Sequence, residues 1–374
     1  KETEKYMEIT VVLSQENETL PKAELLSRLE TLDIKYTILN EYPGIIELDV
    51  GATWEDIVEL GSHLGYTHEI LKTISKTTPE KLEESIEDID WTKYVTDSFK
   101  VRVKRMGGGD VDKDKIERNI GGFIKQKSNM PVSLDDAICT IKLIYTNPEQ
   151  VVNEYKEVSI KKYNKVIISQ LIIEQDKKHF FDNKPHKRPY FHPGSMSPKL
   201  ALCMVNLAHV HNNDTVLDPF CGTGGILIEA GILNTKLIGS DIEKHMYEGS
   251  KLNLAHEGFE DFKIMWEDVR KLELDETVDA VAMDPPYGIS TTLGGDNTKE
   301  LYHEALGHND IIATSTWPTF NEELTKDNTA TIAIQVNGKL RDKIDVAINT
   351  SKEEVEKLAL ASEKVKNFIN GVPI

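Results

Sequence analysis

Apolar and polar positions alternate in "YMEITVVL" (6–13), the spacing of a strand with one covered face. From Pro21 to about Leu32 the apolar residues recur every three or four positions instead, which predicts a helix entered at a proline. "IIELDV" (45–50) predicts a strand. "TWEDIVELGSHL" (53–64) predicts a helix capped by Thr53, with Glu55 and Asp56 in its electropositive first turn. "YTHEILKTI" returns as a strand, so this opening section reads as a small α+β unit ending near the acidic "PEKLEESIEDID" (79–90). The next strand, "DSFKVRVKR" (97–105), carries basic residues at alternate positions and stops at Gly107-Gly108-Gly109. Those glycines either end the strand or let backbone approach a phosphate. A helix from about Lys113 to Lys127 and strands near 138–145 and 165–173 follow.

The pattern then changes. "FDNKPHKRPYFHPGSMSP" (181–198) is rich in proline, histidine and hydroxyls, as a structured linker or a loop folding over a ligand would be. Ser197 and Pro198 form an N-cap and first-turn pair for the helix "KLALCMVNLAHV". Beyond it "TVLD" is a buried strand ending in Asp218, "CGTGG" a glycine turn, "ILIEAGIL" a helix and "KLIGSD" a second strand ending in Asp241. "KIMWEDVRKLEL" (263–274) supplies a third strand ending in Glu267-Asp268, and "DAVAMDPPYG" a fourth ending in Asp284. Strands alternating with helices in this way predict an α/β unit with a parallel sheet.

Charge refines this picture more than composition does. The chain has 374 residues, of which 39% are hydrophobic and 29% charged, the balance of an ordinary globular protein of two to four domains. The net charge of −19 argues against a polyanionic partner, because nucleic-acid affinity comes largely from neutralised phosphates. Between Ser98 and Pro189, however, 19 Lys and Arg face 12 Asp and Glu, a surplus of seven cations that leaves −26 on the remainder. A basic middle in an acidic chain is either a solvated face or an RNA-contacting stripe. Its dense spots are "KVRVKR", "KKYNK" and "KKHFFDNKPHKRP". No apolar run is long enough to span a membrane and no basic-then-apolar leader opens the chain. Three widely spaced cysteines (Cys139, Cys203 and Cys221) fit neither a disulfide framework nor a metal site, which points to a reducing, cytoplasmic setting. The start at Lys1 without a methionine reads as a fragment.

The glycine turn narrows the ligand. An acid 23 residues after Asp218, at Asp241, is placed to hydrogen-bond a ribose. A dinucleotide site would set a diphosphate over the helix N-terminus, yet here the turn opens on an acid, which repels a diphosphate and attracts an ammonium. S-adenosylmethionine has an ammonium, a ribose and a sulfonium, and no phosphate. The acid of Asp284-Pro285-Pro286-Tyr287 then falls at the carboxyl end of a strand, beside the crevice where open α/β sheets hold their ligands. Two prolines stiffen that loop. A carboxylate and a proline-segment carbonyl can accept both N–H bonds of an amine conjugated to a ring, and Tyr287 can stack on the base. A base must leave its stack to reach such a pocket.

These motifs resemble class I methyltransferases of the N-methylating kind. "KRPYFHPGSMSPKLALCMVNLA" followed by "LDPFCGTGGILIEAG" is similar, more narrowly, to the archaeal tRNA (guanine-10-N2)-methyltransferases. Upstream, the strand pattern with "FKVRVKR" and "TNPEQVV" resembles a THUMP domain, an RNA-binding module, behind a ferredoxin-like partner. The resemblance implies methylation of a guanosine N2 in tRNA, at position 10. It implies that Asp218, Cys221, Gly222, Thr223, Gly224, Asp241, Ile242 and Asp268 hold the cofactor, Asp268 by accepting from the adenine amine. Asp284, Pro285, Pro286 and Tyr287 would hold the base, and Lys100, Arg102, Lys104, Arg105 and Arg188 would contact RNA, while 188–197 closes over the site. Adenine N6 is the alternative target.

The tail departs from that family. Trp317-Pro318, "IAIQVNGKLRDKI" and "SKEEVEKLALASEKVKNFI" resemble the C-terminal domain of bacterial leucyl-tRNA synthetase, with Asn337-Gly338 as a hairpin turn. The expected organisation is therefore a ferredoxin-like domain (1–90), a THUMP domain (91–175), a Rossmann-like methyltransferase portion (176–306) cut short after its fourth strand, and a small α+β domain (307–374). A catalytically dead tRNA-binding chimera is the competing expectation, since an open fourth strand exposes an apolar edge.

Overall fold

The computed structural model describes residues 6–152, 159–285, 329–336, 339–347 and 350–361. Two compact units divide the chain, 1–305 and 306–374.

The first unit opens as the sequence pattern predicts. β1 (Tyr6–Leu13) is followed by α1 (Leu20–Thr31), β2 (Tyr36–Tyr42), β3 (Ile45–Gly51), α2 (Trp54–Ser62) and β4 (Thr67–Thr77). The Thr53 cap is a full capping box. Its hydroxyl accepts from the Asp56 amide at 3.2 Å, and the Asp56 carboxylate accepts from the Thr53 amide at 2.7 Å. β2 escapes the pattern because it is an edge strand exposed over most of its length, with no apolar alternation to read. After α3 (Leu82–Asp88) come β5 (Phe99–Arg105), α4 (Lys113–Ser128), β6 (Cys139–Val152) and β7 (Ser159–Glu174). Asp112 caps α4 on the Lys115 amide at 3.1 Å, and Asn129 ends it in the left-handed conformation at φ 60°.

These strands form a single seven-stranded sheet in the order β2-β3-β1-β4-β7-β6-β5. It runs unbroken across the boundary expected near residue 90, because β4 pairs antiparallel with β7, Thr77 opposite Val166. One face carries two apolar cores, one that buries Leu25 and Leu29 of α1 with Ile57 of α2, and one that buries Ile120 and Ile124 of α4 with Trp91. At the end of β5, Gly107 and Gly108 take φ of 89° and 84°. Gly109 packs so closely that a Cβ there would sit 2.5 Å from the Tyr163 ring.

Past α5 (Lys177–Asp182) the chain enters α6 (Pro198–Leu207), β8 (Thr215–Asp218), α7 (Gly225–Ile232), β9 (Lys236–Asp241), α8 (Lys244–His256), β10 (Phe262–Trp266) and the short β11 (Ala280–Val281). Their strands make a four-stranded parallel sheet in the order β10-β9-β8-β11, with Leu227, Leu237, Val216 and Ala201 in its core. Helix α6 is also the seam to the seven-stranded sheet. The Ser27 hydroxyl donates to the Asn206 carbonyl at 2.8 Å, Arg28 donates to the Val210 carbonyl at 2.9 Å, and the Asn206 amide donates to the buried Glu24 at 2.9 Å.

In the second unit β12 (Thr329–Val336) pairs antiparallel with β13 (Lys339–Ala347) in a two-stranded sheet, and α9 (Lys352–Ala361) follows. Pro286, Tyr287, Trp317-Pro318 and Asn337-Gly338 lie outside the described residues, as does any strand that follows β11 within 286–328. Among the described residues no helix is long and apolar enough to cross a membrane.

Candidate active site

The carboxyl edge of the four-stranded sheet gathers the acids that the sequence places at strand ends. Asp218 closes β8 opposite Gly239 of β9, Asp241 closes β9 opposite Trp266, and Asp284 stands three residues beyond β11. Between β8 and α7 the glycine turn folds back over β9. The Cys221 amide donates to the Ser240 carbonyl at 2.9 Å, and the Ser240 hydroxyl donates to the Pro219 carbonyl at 3.0 Å. Gly222 and Gly224 take φ of 50° and 80°, a backbone that side chains rarely adopt. Gly239 makes room for this, since a Cβ there would meet Leu227 at 2.7 Å and Cys221 at 3.1 Å.

Asp241 organises the turn as well as facing the crevice. It accepts from the Gly222 amide at 2.9 Å and from the Glu243 amide at 2.9 Å. Asp218 is 1% exposed and accepts from the Phe220 amide at 3.1 Å. Burial pushes its carboxyl up to about 8, and the charges of Asp241 and Asp284 add to that. Burial likewise raises Asp241 and Asp284 above the ordinary carboxylate range. Burial, with Asp218 and Asp241 beside it, holds the Cys221 thiol well up, so it stays neutral. Three acids thus converge with little cationic relief from the protein, a field that favours a cationic ligand.

The loop before α6 lies over this turn. The Ser195 hydroxyl meets that of Thr223 at 3.0 Å. Asn253 of α8 accepts from the Tyr190 amide at 2.9 Å and donates to the Tyr190 and Thr223 carbonyls at 3.0 and 2.9 Å. The Tyr190 ring occupies the space a side chain on Gly249 would need, 2.1 Å from its Cβ position. Sequence reasoning passed over Asn253 and Gly249; nothing in their local pattern marks them.

Three expected residues sit differently from expectation. Asp268 is already taken, because Arg270 donates to it from Nε at 3.0 and 3.1 Å and from Nη2 at 2.5 Å. That pairing holds its carboxyl below the ordinary range and competes with an adenine amine. The exposed group at that edge is instead Trp266, whose indole N–H donates to the carbonyl of the half-exposed Ile242 at 2.9 Å. Arg188, expected on RNA, is 6% exposed, so its guanidinium lies under the surface, where a phosphodiester cannot reach it. Lys104 is engaged with the buried Glu69 at 2.8 Å. Of the other basic residues on β5, Arg102 meets Glu117 at 3.4 Å and Arg105 meets Asp110 at 2.9 Å, while Lys100 is half-buried and makes no ion pair among the described residues.

Comparison with known proteins agrees with this architecture. The model of the RMKL-like methyltransferase domain matches residues 185–318, and that of the THUMP domain matches 76–145. A tRNA (guanine(10)-N2)-dimethyltransferase from Methanothermobacter thermautotrophicus is 42% identical over 301 residues, 80% of this chain and 84% of that protein. One from Methanocaldococcus jannaschii is 34% identical, over 78% of this chain and 86% of its own. The enzyme of that name from Pyrococcus abyssi is 32% identical over 67% and 70%. At such identity over most of its length, the chain belongs to the tRNA (guanine(10)-N2)-dimethyltransferase family.

Proposed function

We propose that this chain transfers methyl groups from S-adenosylmethionine to the 2-amino group of a guanosine in tRNA, at position 10, as the family name states of its relatives. The observation that carries the reading is the trio Asp218, Asp241 and Asp284 around a glycine turn, raised by burial and short of internal cations. The residues present suit the cofactor: Asp218 offers a buried anion to its ammonium, Asp241 a carboxylate to its ribose, and Ile242 and Trp266 apolar surface to its adenine. When bound, it supplies an electrophilic methyl group.

The chain's part is to position and to accept protons. A guanine amine is a poor nucleophile because its lone pair is delocalised into the ring. Asp284 and the carbonyl of Pro285 accept its two N–H bonds and draw the nitrogen toward a tetrahedral form, aligned for in-line attack. Pro286 stiffens the segment, and Tyr287 stacks on the extruded base. After one transfer the nitrogen keeps one N–H, so the same carboxylate can serve a second. Lys100 stands on the edge strand β5 without an ion pair among the described residues, beside the paired Arg102, Lys104 and Arg105, which supports tRNA docking by backbone contact there. The three free cysteines suit a reducing cytoplasm.

The test is a methylation assay on tRNA, with the modified nucleotide mapped by mass spectrometry. Asp284→Ala is expected to lower turnover by about 10²–10⁴-fold while leaving cofactor affinity within a few-fold. Unchanged turnover would sink the mechanism. A methylated adenine would replace the substrate, and no cofactor binding by folded protein would leave a tRNA-binding chimera.

A further inference from the structure

Asn253 of α8 is fully buried, and its amide serves two segments that belong to no strand. Oδ1 accepts from the Tyr190 amide at 2.9 Å, while Nδ2 donates to the Tyr190 and Thr223 carbonyls at 3.0 and 2.9 Å. Only a carboxamide can accept from the N–H of one residue, donate to its C=O and keep a second hydrogen for another carbonyl. The network also fixes which way the amide points, since turning it over would set its oxygen against two carbonyls. Asn253 thus pairs with Tyr190 as a neighbouring strand would, and ties it to the glycine turn.

Other contacts join the same parts. One helical turn before Asn253, on the same face of α8, Gly249 leaves the space that the Tyr190 ring fills. Between them in the chain, Ser250 packs on the turn, its Cβ 3.4 Å from where a Cβ on Gly224 would stand. At the far end of the loop the Ser195 hydroxyl spends its hydrogen on the His192 carbonyl at 2.7 Å, so it accepts from the Thr223 hydroxyl at 3.0 Å. Thr223, 6% exposed, therefore gives its carbonyl to Asn253 and its hydroxyl to Ser195. The loop is held at residues 190 and 195 and leaves Phe191 half-exposed between them. The apolar packing under α8 comes instead from Leu254, the next residue along.

Resting on the methyltransferase reading above, we infer that Asn253 is a positioning residue that latches the 190–195 loop onto the glycine turn, and that release of this latch gates the entry and departure of the cofactor. Opening the loop strands an amide and two carbonyls that Asn253 now satisfies, so the latch slows exchange without touching the reacting atoms.

Two measurements test this together: amide hydrogen exchange of segment 188–197 by mass spectrometry, and release of labelled S-adenosylmethionine chased with unlabelled cofactor. Asn253→Asp keeps the size and the acceptor but sets a carboxylate against two carbonyls. It is expected to speed exchange across 188–197 and to raise the cofactor dissociation rate about 10–100-fold, with tRNA affinity unchanged. Gly249→Ala leaves Asn253 intact but displaces the Tyr190 ring, and is expected to act in the same direction, so the latch stays testable should Asn253→Asp not fold. Leu254→Val should lower the thermal midpoint and leave both loop exchange and cofactor release unchanged. If the two loop variants release the cofactor no faster than wild type, the latch is overturned. It is overturned equally if Leu254→Val speeds release as much as Asn253→Asp does, because Asn253 then acts through the stability of α8. Folded wild-type protein that binds no S-adenosylmethionine would overturn the methyltransferase reading and the gating with it, whereas exchange of 188–197 would still show whether Asn253 latches the loop.

Discussion

The polar face of the seven-stranded sheet and the carboxyl edge of the four-stranded sheet both bury carboxylates, with opposite results. On the first, Glu47 is fully buried but meets Lys76 at 2.8 Å and Lys165 at 2.9 Å, and accepts from Asn40 at 2.6 Å. Glu69, 6% exposed, meets Lys104 and Lys142, each at 2.8 Å. Burial pushes both carboxyls up, and the lysines more than reverse it, so each lies below the ordinary range. At the other edge burial goes unopposed and Asp218 rises to about 8. Acids that hold a sheet together are neutralised from within. Acids awaiting a cation from outside are left raised.

The sharpest way to break this contrast is to remove a paired acid. Glu47→Ala takes the ion-pair partner from Lys165 and leaves Lys76 with Glu8 alone, and is expected to cost about 3–5 kcal/mol in denaturant unfolding. Because Glu47 and Glu69 are lowered, the stability they give is full above the ordinary carboxylate range and is lost as pH falls below that range toward their lowered folded values. Removing an unpaired acid should do the reverse. Asp218 binds its proton more tightly folded than unfolded, so it destabilises progressively as pH rises from about 4 to 8, the interval between an ordinary and a raised carboxyl. Asp218→Asn is therefore expected to raise the thermal midpoint of the cofactor-free protein at pH 9 and to weaken S-adenosylmethionine binding. A lowered midpoint would mean that the two groups of acids are of one kind. The smallest effect separates paired from unpaired cations. Lys100→Ala should weaken tRNA binding a few-fold, reduce its salt slope by about 1, and leave the thermal midpoint unchanged, whereas Lys104→Ala should lower that midpoint.

What was legible in the sequence follows the same division. Glycine turns and acids at strand ends are written locally, so Asp218, Gly222, Gly224 and Asp241 fall together at one edge as their spacing predicts. The caps at Thr53 and Ser197 are local too. Depth is not local. "HKR" at 186–188 reads as one basic cluster, yet Lys187 remains near the surface over the Phe181 ring while Arg188 goes under it. The Glu47–Lys165 and Glu69–Lys142 pairs join residues far apart in the chain, which only the sheet register brings together. The pairing of Asp268 with Arg270, two residues on, could have been foreseen, since an acid capping a short turn often meets a nearby cation.

The seam at α6 has a consequence for which nucleotide is modified. Ser27, Arg28 and Glu24 grip Asn206 and Val210 through buried bonds, and a side chain on Gly65 would collide with the Lys199 carbonyl at 2.6 Å. A joint so closely fitted resists hinging, which makes the first unit a gauge of constant length. On the docking proposed above, one end would rest on the RNA at the basic sheet and the other would reach a single spot on the folded tRNA. Selection by such a gauge needs no base letters at the docking end: lengthening an arm of the tRNA by one pair would shift the mark, and rewriting its sequence would not.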